Sequence, residues 1–156
     1  MKKIITTVLL CIAFTTPASA ADSPFYAGLQ VGDNYVGGLG GYQIDKMFSV
    51  EVHYIEFDSI STPFVSTDAS SFGVAGVAMF PMNLKNAPPF ALYAKAGVER
   101  TSVDVNFPPY GYSETDMGLM LGGGAQYDFN KNVSARLGLD IAGEADSLYI
   151  SAILKF

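Results

Sequence analysis

Cysteine is almost missing from this sequence. Of 156 residues only Cys11 carries a thiol, tryptophan is absent and His53 is the sole histidine. A chain without paired cysteines is not a disulfide-stapled miniprotein and holds no thiolate metal site, and a single histidine leaves a thin choice for other metal and nucleophile chemistry. Positive charge is scarce as well, with nine Lys and Arg against fifteen Asp and Glu. Such a balance leaves no electrostatic footprint for nucleic acid, which is excluded as a partner. Apolar runs are too short to cross a bilayer as a helix. Yet 49% of the residues are hydrophobic, so the apolar side chains must be spaced out along the chain.

The start of the chain has its own pattern. Lys2 and Lys3 precede a mostly apolar run from Ile4 to Phe14, and Pro17 leads into Ala18-Ser19-Ala20. A basic head, a short apolar middle and a small-residue exit are the parts of a secretory signal peptide. Residues 1–20 are therefore expected to be cleaved and 21–156 to form one working domain. Cys11 would leave with the leader, and Leu10 stands where lipidation needs a small residue. Cleavage leaves seven basic side chains against fifteen acidic ones, a formal charge of −8. All sixteen glycines and nineteen of the Phe and Tyr residues follow the leader. Gly together with aromatics favours bent or closed strands over helices.

Period-two alternation dominates the rest. In 147–156, Leu148, Ile150, Ala152, Leu154 and Phe156 share one face; Ser147, Tyr149, Ser151, Ile153 and Lys155 share the other. Segments 48–54, 90–99, 116–127 and 133–141 alternate in the same way, and 25–32, 35–43 and 71–80 do so more weakly because Gly and Ala dilute both faces. That makes eight strands of the length that crosses the hydrocarbon on a tilt. The odd connectors, 32–35, 58–70, 101–115 and 142–146, include the two longest; the even ones are 44–47, 81–89 and 128–132. Membrane barrels place both termini and the short turns in the periplasm and the long loops outside.

Aromatic positions separate a membrane barrel from a soluble one. Phe25, Tyr42, Phe48, Phe80, Phe90, Tyr127 and Phe156 mark the periplasmic end of every expected strand except the seventh. Aromatic rings settle at the headgroup boundary, whereas a soluble lipocalin-like barrel has no reason to mark one end. The polar face carries Gly28, Gly97, Gly118, Gly122, Gly124 and Gly138, small residues that suit a crowded interior. The fold expected is all-β: an eight-stranded antiparallel up-and-down transmembrane barrel with its apolar face outward.

Gly40–Phe57 (GGYQIDKMFSVEVHYIEF) and the ending Ser147–Phe156 (SLYISAILKF) resemble the small eight-stranded outer-membrane barrel superfamily, which includes the membrane domain of outer membrane protein A, protein X and the opacity-type barrels. The resemblance spans essentially all of 21–156. It implies the outer membrane of a Gram-negative bacterium, with outer-membrane lipid and the barrel-assembly machinery as partners. It also implies that Phe156, Leu154, Ala152, Ile150 and Leu148 form the ending which that machinery reads. Membership fixes the fold better than the job.

Parity places Glu51, His53, Glu99, Asp116 and Asp140 on the inward face with Lys95, Arg136, Lys155 and Gln126. Unpaired charges in so narrow a space are costly, so the expectation is a self-satisfied polar plug. The alternative is a narrow channel in which Arg136 or Lys95 exchanges carboxylate partners. The superfamily resemblance suggests Glu51, Lys95 and Arg136 as counterparts of an interior Arg–Glu–Lys cluster. Some relatives modify lipid A with a histidine, but His53 faces away from lipid and Ser49 sits far along the same strand. An enzyme is not expected, nor a cofactor. Gly122-Gly123-Gly124 lacks the Lys and the strand-to-helix context of a phosphate loop. Loops 58–70 and 101–115 are the candidates for a host or cell-surface ligand, and Phe107, Tyr110 and Tyr112 near the tip of a projecting hairpin either touch such a surface or, the favoured alternative, pack on headgroups or on loop 58–70. The leading functional expectation is a non-enzymatic protein of envelope integrity or surface adhesion.

Overall fold

A computed structural model describes residues 23–58, 60–61, 66–82, 90–107, 110–142 and 145–156. The expected leader, residues 1–20, lies outside the described residues. Eight long strands follow one another: β1 Phe25–Gly32, β2 Tyr35–Gln43, β3 Phe48–Phe57, β4 Ser66–Met82, β5 Phe90–Phe107, β6 Tyr110–Asp128, β7 Val133–Ala142 and β8 Ala145–Lys155. Each pairs antiparallel with the next, and β8 returns to β1 through Tyr26↔Lys155 to Gly32↔Tyr149, which closes the sheet. The main-chain amide of Phe156 donates to the Phe25 carbonyl at 3.1 Å and seals that seam at its end. A closed sheet leaves no backbone group facing lipid unpaired, as the hydrocarbon demands.

The two faces sort as alternation requires. Leu137 is 53% exposed and its neighbour Arg136 only 3%. Val50, Val52, Leu92, Val98, Leu121, Leu139, Ile150 and Leu154 all point outward with large exposed side chains. Below this apolar band lies the ring of Phe25, Tyr42, Phe48, Phe80 and Phe156, all exposed. Register sets Phe25 opposite Tyr42, and the two rings meet edge to face at 5.1 Å. Phe129, in the turn before β7, packs edge-on against Tyr127 at 4.8 Å and supplies an aromatic beside the strand that lacks one.

Inside, bulky side chains seat themselves over glycines. A Cβ on Gly138 would collide with Tyr93 and Tyr149, and one on Gly73 would collide with the His53 ring. These positions need glycine for close approach and not for backbone freedom. The buried core is Tyr35, Ile55, Val77, Tyr93 and Tyr149 towards one end and Tyr26, Leu39 and Ile153 towards the other.

Strand lengths depart from the sequence expectation. Segment 101–115, counted among the connectors but expected to form a projecting hairpin, continues β5 and β6 as a paired ribbon up to Phe107↔Tyr110, with Pro108 and Pro109 outside the described residues. Part of 58–70 is likewise strand: β4 begins at Ser66 and pairs up to Asn106, and Ile60–Ser61 form a short piece against Thr67 and Ser66. Thr101–Val105 keeps the two-residue period, with Val103 and Val105 against Ser102 and Asp104, and the backbone pairing of β5 with β6 continues with it. β7 meets β6 only from Met120↔Ala142 downward. The β4–β5–β6 ribbon therefore rises beyond the closed barrel.

Candidate functional site

At the mouth nearest the termini, Lys155 Nζ donates to Asp128 Oδ1 at 2.8 Å. Ser134 Oγ and Gln126 Nε2 donate to the same oxygen at 2.5 and 2.9 Å. Lys155 is thus at the rim, about a third exposed, and not deep in the lumen. A vestibule of about 130 Å³ opens here, with Ser49, Gln126 and Arg136 among its walls.

Above it, Arg136 Nη1 donates to Glu51 Oε1 at 2.6 Å, while Arg136 Nη2 and Nε reach Gln126 Oε1 at 3.1 and 3.3 Å. Tyr26 Oη donates to Glu51 Oε1 at 2.8 Å and lies 2.9 Å from Ser49 Oγ. The Arg136 guanidinium stacks 4.6 Å from the Tyr93 ring centre, and Lys95 Nζ lies 4.7 Å from that of Tyr149. Between them the two tyrosine hydroxyls share a hydrogen bond of 2.7 Å. Higher still, Lys95 Nζ pairs with Asp140 Oδ2 at 2.6 Å, and His53 Nε2 lies 3.8 Å from Glu99 Oε2. Ser71 Oγ donates to Glu99 Oε1.

The structure thus brings Glu51, Lys95, Glu99, Arg136 and Asp140 into one lumen, together with His53 and Gln126. Asp116 is a correction: it is exposed on the ribbon opposite Thr101, above the point where β7 joins, so it has the inward parity without a barrel around it. Tyr26, Ser49 and Asp128 complete the network but escaped the sequence reading. Tyr26 sits in glycine-diluted β1, Ser49 drew notice only as a possible nucleophile, and Asp128 fell in an expected turn. Ser71 could have been found, being inward by the parity of β4. Its hydroxyl donates to Glu99, and His53 Nε2 has no hydrogen-bond partner among the described residues.

The opposite end is acidic. Asp33, Glu56 and Asp58 surround the lower loops, Asp146 opens β8, and Asp68, Asp104, Glu114 and Asp116 line the ribbon, every one of them exposed. Among the described residues of this end Arg100 is the only base. Tyr112 is 63% exposed on the ribbon; the side chains of Phe107 and Tyr110 lie outside the described residues. At the termini end Lys46 and Lys131 occupy the short turns.

Solved structures share this architecture. The N-terminal β-barrel domain of Pseudomonas aeruginosa OprF superposes with a TM-score of 0.65 at 14% identity, over 85% of this chain and 95% of that one. Neisserial surface protein A gives 0.66 at 18% identity, over 86% and 98%. The attachment invasion locus protein Ail of Yersinia pestis gives 0.54 at 14% identity, over 83% and 90%. Ail has also been solved in complex with the heparin analogue sucrose octasulfate, and that structure gives 0.52 at 13% identity over 83% of this chain and 90% of that one. No curated protein matches the sequence. The family described as the outer membrane protein beta-barrel domain matches residues 6–146. The closed eight-stranded sheet, the outward apolar band and that match together make this chain a member of the outer membrane protein beta-barrel family.

Proposed function

We propose that this chain is a non-enzymatic surface protein of the outer membrane whose acidic outer end engages a cationic partner. The observation that carries the reading is the outer crown itself, where exposed carboxylates on three loops and a ribbon face Arg100 as the only described base. A field of one sign steers and selects partners of the other, and it repels a sulfated sugar of the kind seen on Ail. The barrel then serves as a rigid pedestal. Its lumen holds the Arg136–Glu51 and Lys95–Asp140 pairs, and Tyr112 on the ribbon adds aromatic contact area. At the other end Phe156, Leu154 and Ile150 are the residues offered to the assembly machinery during export.

The test is binding of decalysine and of sucrose octasulfate to the full barrel in nanodiscs, at low and high salt. Decalysine should bind and lose affinity steeply with salt, while the sulfated sugar should not bind. The opposite preference would sink the reading. A narrow gated channel is the second reading, favoured by the vestibule that already reaches Arg136 from the periplasm. Opening it would require Arg136 to leave Glu51 and the Tyr93–Tyr149 bond to part, so planar-bilayer recordings should show a closed protein with at most rare openings.

A further inference from the structure

We infer that Arg100, with the hydroxyls of Ser102 and Thr115 above it, forms a seat on the outward flank of the barrel for the phosphate of one anionic lipid of the outer leaflet. The seat is independent of the acidic crown and its partner, because it lies on the face turned to lipid.

Register stacks the outward side chains of β3 to β6 in rows. Val52, Val74, Val98 and Leu119 stand level in one row, and Tyr54, Phe72, Arg100 and Met117 in the next. Above them come Glu56, Ser70, Ser102 and Thr115, and then Asp68, Asp104 and Ser113. The chemistry passes from aliphatic to aromatic to hydroxyl to carboxylate within four rows, as it does across a membrane surface. Aromatic rings settle at the headgroup boundary, so the exposed Tyr54 and Phe72 put Arg100 at that level. Its stem can lie along the apolar side chains while the guanidinium meets the headgroups.

Arg100 has no counter-ion from the protein: among the described residues it takes part in no ion pair. Its neighbour Glu99 is buried in the lumen, where Ser71 donates to it, and Asp116 has the inward parity. The outward carboxylates stand well apart. Asp104 is four residues further along β5, about 13 Å at the rise of a strand, and Glu56 is two strands away in the row above, about 12 Å. A guanidinium among apolar side chains keeps a desolvation cost that an anion offsets, and its planar fork matches phosphate. Ser102 Oγ and Thr115 Oγ1 lie 3.3 Å apart in the row directly above. One hydroxyl donates to the other, which leaves one proton for a phosphate oxygen. A free phosphate would use only this polar half of the surface, whereas a lipid also covers Val98, Phe72 and Met117, all exposed. As the only base described at this end, Arg100 makes one such seat, on the β4–β6 flank.

The probe is phosphorylated lipid A, titrated into the folded barrel in maltoside micelles containing EDTA, with the lipids retained per barrel counted by native mass spectrometry. One phosphorylated lipid should be held more tightly than its dephosphorylated form by at least about tenfold, as a charge-assisted hydrogen bond implies. Arg100→Gln should abolish that preference, Arg100→Lys should keep part of it, and Ser102→Ala with Thr115→Ala should reduce it. Lys131→Gln, at the opposite end, should leave it unchanged. Heat-modifiable gel mobility confirms that each variant is folded. Equal retention of both lipid forms, or an unchanged preference in Arg100→Gln, overturns the inference. Displacement of the lipid by excess inorganic phosphate would make this a free-anion site and overturn the lipid as occupant. Retention that needs magnesium in place of EDTA would assign the phosphate to the carboxylates through a bridging cation, and would overturn it as well.

Discussion

Methionine in place of Arg136 would leave the Glu51 carboxylate inside the barrel without its cation. Both side chains are under 5% exposed, and their contact is 2.6 Å. Removing one partner of a buried pair typically costs about 3–5 kcal/mol, because the remaining charge keeps its desolvation penalty without the attraction that offset it. Here the upper part of that range is expected, since Arg136 also satisfies Gln126 and stacks on Tyr93. Tyr26 still donates to Glu51, which moderates the loss. Replacing Glu51 by methionine as well removes the stranded charge. Apolar pairs of similar volume are often neutral relative to the ion pair, so the double variant should recover at least about 2 kcal/mol over the Arg136 single variant. Tyr26 keeps Ser49 as its neighbour in that variant. Urea unfolding of the refolded barrel in detergent micelles, followed by heat-modifiable gel mobility, reads all three stabilities. Independent, additive losses would refute the lumen geometry, because residues that do not touch do not couple.

The outward face gives the complementary test: Leu137→Arg places a charge against lipid and should cost about 2–4 kcal/mol, additive with changes at Glu51, as the same unfolding assay would show. Gly138→Ala drives a methyl into Tyr93 and Tyr149, and an overpacked core typically loses about 1–3 kcal/mol, measurable as a lowered urea midpoint. On whole cells Glu114→Cys should react with a membrane-impermeant maleimide, whereas Lys131→Cys should react only after permeabilisation; the reverse would invert the barrel. Deleting Phe156 should lower the amount of folded protein in the outer membrane without reducing export, as fractionation and gel mobility would report.

Alternation alone fixed the number of strands and the face of each, because lipid outside and crowding inside leave a two-residue period no third option. It placed Leu137 and Arg136 on opposite sides without any knowledge of their neighbours. What it left open was partner choice. Glu51 and Arg136 lie on β3 and β7, which are not adjacent, so their meeting depends on how the closed sheet staggers and not on spacing along the chain. The same stagger separates Asp116 from Asp140: both have inward parity, but only Asp140 has strands on every side of it, where it meets Lys95. The stretch of β6 above its pairing with β7 was equally invisible, since it arises from a difference in length between hairpins: β5 and β6 continue past the rim while β7 and β8 turn back. Parity is a local property of a strand, and a sequence carries it directly. Height in the barrel, and with it whether a charge is buried, paired or displayed, exists only once the sheet has closed.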